Sequence, residues 1–137
     1  MADSVDISLD ISAWDPDIER TPTYSSVVKR VEQNGVESTL SRLRGMPRDS
    51  LAGTEYQFEQ VARGLQAHGR NADAIAIMQF SAKVFDREAP VHASLARTFE
   101  LAQQLDSARV YTIRALALDS LDTHALELSR RLRLERR

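Results

Sequence analysis

The sequence predicts an all-α fold, a short stack of antiparallel helix pairs, on three observations. Glycine and proline are scarce, 5 and 4 in 137 residues, whereas Ala, Leu, Arg and Gln, which favour helix, are abundant. Apolar residues recur at i, i+1 and i+4, which places them on one helical face. The same small and apolar residues then return 34 positions later.

The repeat is clearest when residues 55–88 are laid over 89–122. Val61 then falls on Leu95, Ala62 on Ala96, Leu65 on Phe99, Ala74 on Ala108, Ala82 on Leu116 and Val84 on Leu118. The small Ala at the second position lets a neighbouring helix come close. Carried backwards, the register puts Val27, Val28, Val31 and Gly35 opposite Val61, Ala62, Leu65 and Gly69.

Taken in order, residues 1–20 form an extended or strand-like segment, because Val5, Ile7, Leu9 and Ile11 alternate with Asp6, Ser8, Asp10 and Ser12. Such a strand can pair with a second copy to make a homodimer through 5–11. It can also join a partner's sheet edge, end an upstream domain, or stay a loosely docked tail. Trp14 is expected to pack in a core rather than stack on a ligand.

A helical repeat domain spans 21–137, with helices near 22–34, 36–44, 55–68, 72–86, 90–103, 106–119 and 122–134. Gly45, Met46 and Pro47 shorten the second of these and leave a loop after Arg44, since proline lacks the N–H that a helix interior needs. Thr21-Pro22 and Ala89-Pro90 place proline at helix starts. Thr54 with Gln57 forms a capping-box pattern, and Asn71, Asp106 and Asp122 read as N-caps. Gly35 and Gly69 suit the left-handed residue that ends a first helix. The last helix, with Ala125, Leu128 and Leu132 on one stripe, covers the end of the stack.

Composition narrows the function classes. Hydrophobic and charged contents of 42% and 28% are those of a globular domain, and a net charge of −2 gives no reason to expect nucleic acid. Arg130, Arg131, Arg133, Arg136 and Arg137 read as a solvated helix end. With no cysteine, disulfides and thiolate metal sites are excluded. His68, His92 and His124 have no metal-ligand spacing, so no cofactor is expected. No apolar run of about 18 residues and no signal-peptide order occur, so a cytoplasmic protein without a membrane partner is expected. Ser26-Val-Val-Lys29 matches a nucleophile motif of β-lactamase-like enzymes, but the companion Lys-Thr-Gly is missing and no sheet is expected to frame it. The chain is read as a binding protein and not an enzyme.

Leu65 to Met78 and Leu95 to Asp119 resemble tetratricopeptide repeats, and the match runs over 21–134. The period and the small residues agree, while the large positions differ: Phe58 or His92, Ala62 or Ala96, and Leu65 or Phe99 replace the usual Trp, Gly and Tyr. Asp86 or Ser120 replaces the final proline. The resemblance implies a right-handed stack whose role is to hold another polypeptide as a scaffold. The order of a Gly35-Val36-Glu37 helix, a loop and two repeats is also similar to the helical tail of some bacterial serine hydrolases. That second resemblance implies a tail that positions or oligomerises such an enzyme.

A binding face follows from the register. First helices of stacked pairs line the concave side, and Lys29, Arg63, Arg97 and Arg131 recur every 34 residues. With Gln60, Ser94 and Gln66 nearby, this basic ladder is expected to receive a protein or peptide partner of acidic or C-terminal character. The competing reading is that Lys29–Glu32, Arg97–Glu100 and Glu59–Arg63 close pairs within their own helices.

Overall fold

The structure, a computed structural model, describes residues 21–133, and the strand-like stretch 5–11, its homodimer reading and Trp14 lie outside them. Among the described residues every regular element is a helix. The described residues fall into two compact units that divide between Thr54 and Glu55.

In the first unit, α1 spans Tyr24–Asn34, α2 Val36–Arg44 and α3 Arg48–Leu51. Thr23, not Pro22, starts α1: the Ser26 N–H donates to Thr23 Oγ1 at 3.1 Å, and the Thr23 N–H donates to Ser26 Oγ at 3.0 Å. This reciprocal cap satisfies two donors that a helix start otherwise leaves open. Val27 and Val31, one turn apart, bury fully, and α2, which packs on α1, buries Leu40 and Leu43. Only Gly35 separates the two helices. Its φ of +89° is reached without strain because glycine has no Cβ. The loop expected after Arg44 contains a further helical turn, α3. Pro47 precedes it as N-cap with φ −61°, where a missing N–H costs nothing, and Leu51 and Met46 are buried.

The second unit holds α4 (Glu55–Ala67), α5 (Asn71–Val84), α6 (Ala89–Leu101), α7 (Leu105–Leu118) and α8 (Thr123–Arg131). Each packs on the next, and α6 also touches α4 and α8. Helix α5, between α4 and α6, buries residues around most of its circumference, from Ala74 and Ile75 to Ser81 and Ala82. Phe58 of α4 meets Phe80 of α5 edge to face, with centroids 5.7 Å apart. On α7 only Ala108, Thr112 and Ala115 are buried. Its opposite side shows Val110, Ile113 and Leu118 to solvent, so the pairing of Val84 with Leu118 in sequence does not extend to equal burial. No helix among the described residues is long and apolar enough to cross a membrane.

The turns after α4 and α6 follow one pattern. After α4, the Gly69 N–H donates to Gln66 O and the Arg70 N–H to Leu65 O. After α6, the Gln103 N–H donates to Glu100 O and the Gln104 N–H to Phe99 O. Both are Schellman ends, which satisfy carbonyls left open at a helix terminus. Gly69 has φ +77° and Gln103, 34 residues on, has φ +65°, so Gln103 holds a left-handed conformation that costs a residue with a Cβ.

Several expected caps take other forms. Thr54 Oγ1 donates to Leu51 O at 2.6 Å and Gln57 Oε1 is buried without a partner, so no capping box closes there. Asn71 is the first residue of α5 and accepts from Gln66, while Asp106 pairs with Arg109 inside α7. Asp122 does cap α8, accepting from the Ala125 N–H at 2.9 Å. Pro90 sits in the first turn of α6.

Two expectations follow. Ala96 and Ala108 have no exposed surface, so replacing either with Leu should overpack the core and destabilise by about 1–3 kcal/mol; thermal unfolding indistinguishable from the parent would contradict the packing. Gln103→Gly should stabilise by about 0.5–1 kcal/mol, the left-handed strain relieved minus glycine's extra chain entropy. Gly69→Ala should move stability the other way, and urea unfolding of the two variants checks both signs.

Candidate functional site

The ninth residues of α4, α6 and α8 are Arg63, Arg97 and Arg131. All three line one groove of about 530 Å³, together with Ser94, Leu101 and His124. An adjoining hollow of about 400 Å³ shares Arg63, Ser94 and Arg97 and adds Gln66 and Asn71. Lys29 is exposed on α1 in the other compact unit, and because Tyr24 is the first residue of α1 it is the sixth residue of its helix. Gln60 is half-buried on α4 and is not part of either lining.

The three arginines are not equivalent. Arg63 pairs with Glu59 one turn back, Nη2 to Oε2 at 3.1 Å, as the intrahelical reading expects. Arg131 instead reaches across from α8 to α6. Its Nε donates to Glu100 Oε2 at 3.0 Å and its Nη2 to Glu100 Oε1 at 2.8 Å, a two-pronged fit of planar guanidinium on planar carboxylate. Those hydrogen bonds hold the Glu100 carboxyl below the ordinary range against the opposing effect of burial, with the charges of Arg131 and Arg97 adding to them. Arg97 makes no ion pair among the described residues and is exposed, although its charge is felt at Glu100. Neither the Lys29–Glu32 nor the Arg97–Glu100 ion pair is formed.

Polar neighbours divide between framework and groove. Gln66 Nε2 donates to Thr98 O at 2.9 Å and to Asn71 Oδ1 at 3.2 Å, so it fastens α4 to α6 while lining the adjoining hollow. Ser94 lies one turn before Arg97 and lines both hollows. The Ser26 hydroxyl accepts from Thr23 N–H and donates to Thr23 O, so its match to a nucleophile motif is a helix cap. His68 Nδ1 lies 2.9 Å from Gly64 O. His92 is buried; its Nε2 must carry the proton donated to Asp86 O at 2.8 Å, which leaves Nδ1 as a buried acceptor without a partner.

No family model, no curated protein and no solved structure matches this chain. Function therefore rests on what the groove itself can do. A guanidinium with unused donors beside a serine hydroxyl and the exposed Leu101 can hold a carboxylate and pack a short apolar side chain.

A carboxylate pair lies near the start of the same helices. Burial first, then a hydrogen bond and repulsion from Glu55, push the Glu88 carboxyl above its ordinary range. The folded chain therefore binds that proton more tightly than the unfolded chain does, and the stabilisation present in acid is lost as pH rises through the raised value. Glu88→Gln should accordingly unfold at a higher temperature than the parent at neutral pH, and the gap should close as pH falls to about 4. A gap that widens in acid, or none at neutral pH, would show that the two carboxyls do not meet.

Proposed function

We propose that this chain is a tetratricopeptide-like interaction module. It holds a segment of another polypeptide in the groove formed by α4, α6 and α8 and does not itself catalyse a reaction. The carrying observation is the placement of Arg63, Arg97 and Arg131 on one groove, with Arg97 lacking an ion-pair partner among the described residues. Packing of α6 on α4 and of α8 on α6 is what a stack of helix pairs requires, and it supports the same reading. The occupant is an acidic or C-terminal segment, since a guanidinium with no ion-pair partner among the described residues favours a carboxylate over a neutral amide.

Binding of a fluorescein-labelled polyglutamate peptide, followed by anisotropy, tests this. Affinity should fall as salt rises, because exposed charges are screened over about 8–10 Å at physiological ionic strength. Arg97→Glu should weaken binding at least about tenfold. Arg63→Glu should do less, since Glu59 already occupies Arg63. Both variants should keep the parent's stability within about 0.5 kcal/mol, as exposed substitutions usually do. Unchanged, salt-independent binding by Arg97→Glu would place the binding surface elsewhere.

A further inference from the structure

Glu100 occupies an unusual place in the groove. It is three residues beyond Arg97 on α6, and its carboxylate is held at both oxygens by Arg131 from α8. Its side chain retains 20% exposure and that of Arg131 47%, so the pair sits at the groove surface where a bound segment can compete for it. A partner carboxylate offers Arg131 the same planar pair of acceptors that Glu100 offers. Breaking the internal pair would free Arg131 and add a second cation beside Arg97.

We infer that Glu100 is a built-in competitor for the groove, an internal carboxylate that occupies Arg131 in the free protein and that a bound carboxylate segment displaces. The inference rests on the reading of the groove as a carboxylate-binding site. Two consequences distinguish it from a purely structural clip between α6 and α8. The internal pair sets a threshold, so that a single carboxylate engages Arg97 alone while closely spaced carboxylates also recruit Arg131. It also makes the recruitment of Arg131 conditional on what Glu100 is doing.

The test uses the full chain and the labelled polyglutamate peptide. Glu100→Gln, which keeps the side-chain shape and removes the charge, should bind about tenfold more tightly than the parent. Glu127 lines the same groove and its charge is felt at Arg131, but it makes no ion pair with Arg131. Glu127→Gln therefore removes an equal charge without freeing Arg131, and should strengthen binding by no more than about two- to threefold. In the Glu100→Gln background, Arg131→Gln should cost several-fold more affinity than in the parent, because in the parent the gain from recruiting Arg131 is offset by the loss of its bonds to Glu100. Glu100→Asp, whose carboxylate is withdrawn by one methylene, should fall between parent and Glu100→Gln, and it tests the inference even if Glu100→Gln does not fold. Equal effects of Glu100→Gln and Glu127→Gln, or an Arg131→Gln cost that does not depend on residue 100, would overturn the inference while leaving the groove as a binding site. If the parent, Glu100→Gln and Glu100→Asp all fail to bind the peptide, the reading of the groove itself falls, and this inference with it.

Discussion

Close approach of helices to α6 is the constraint on which the second unit depends. Helix α6 has α4, α5, α7 and α8 against it, and a helix in contact on that many sides cannot carry large side chains all round. Ala93 and Ala96 are almost wholly buried on it, and Ala108, Ala115 and Ala125, buried to the same degree, stand on the helices around it. A methyl group brings backbones near enough for Leu95 and Phe99 to fill the remaining space. Interiors are packed as tightly as organic crystals, so the fit tolerates little added volume. The groove follows from the same packing: α4 and α8 both lie on α6, and that brings the ninth residue of each to a common surface.

Much of this was legible in the sequence because a period is a local property repeated. Seven of the helices were expected, Val36–Arg44 with both ends correct, and the alanines singled out by the 34-residue register, Ala62, Ala74, Ala82, Ala96 and Ala108, are buried, although Ala89, Ala93 and Ala115 are buried without having been singled out by it. What escaped depended on competition between neighbouring signals or on distance. Thr23 outcompeted Pro22 as the start of α1 because its hydroxyl and that of Ser26 complete a reciprocal cap, an outcome that a single-residue preference for proline does not capture. Gln103 takes a left-handed turn that only its counterpart Gly69 advertises.

The groove was half legible for a similar reason. Register alone gave Arg63, Arg97 and Arg131 a common face, and Lys29 was added by spacing without regard to where its helix begins. Ion pairs within one helix can be listed from sequence, and of the three considered only Glu59–Arg63 forms. The bond that shapes the groove's charge, Arg131 to Glu100, joins residues 31 apart. It is visible only in hindsight, since a register that places residue 131 beside residue 97 also places it one turn from residue 100. Gln66 lines the adjoining hollow as its position in the register expects, and what the sequence does not show is that its Nε2 also ties α4 to Thr98 O of α6.

Tyr111 occupies a singular position among these side chains. Its ring lies within 15° of parallel to Phe99, 5.6 Å away, and within 10° of parallel to His92, 6.2 Å away, with the Arg114 guanidinium 5.0 Å from its centroid. Tyr24 and Tyr56 are exposed at 44% and 66% and make no such stack among the described residues. A phenol fixed in a chiral stack with a cation over its face carries a near-ultraviolet dichroism that freely rotating phenols do not. The joint between α6 and α7 therefore contains its own optical label, whereas the joint between α4 and α5, built on two phenylalanines, absorbs only weakly there. Separation of the two ends of the unit, if one loosens before the other, is written in the molecule's native chromophores.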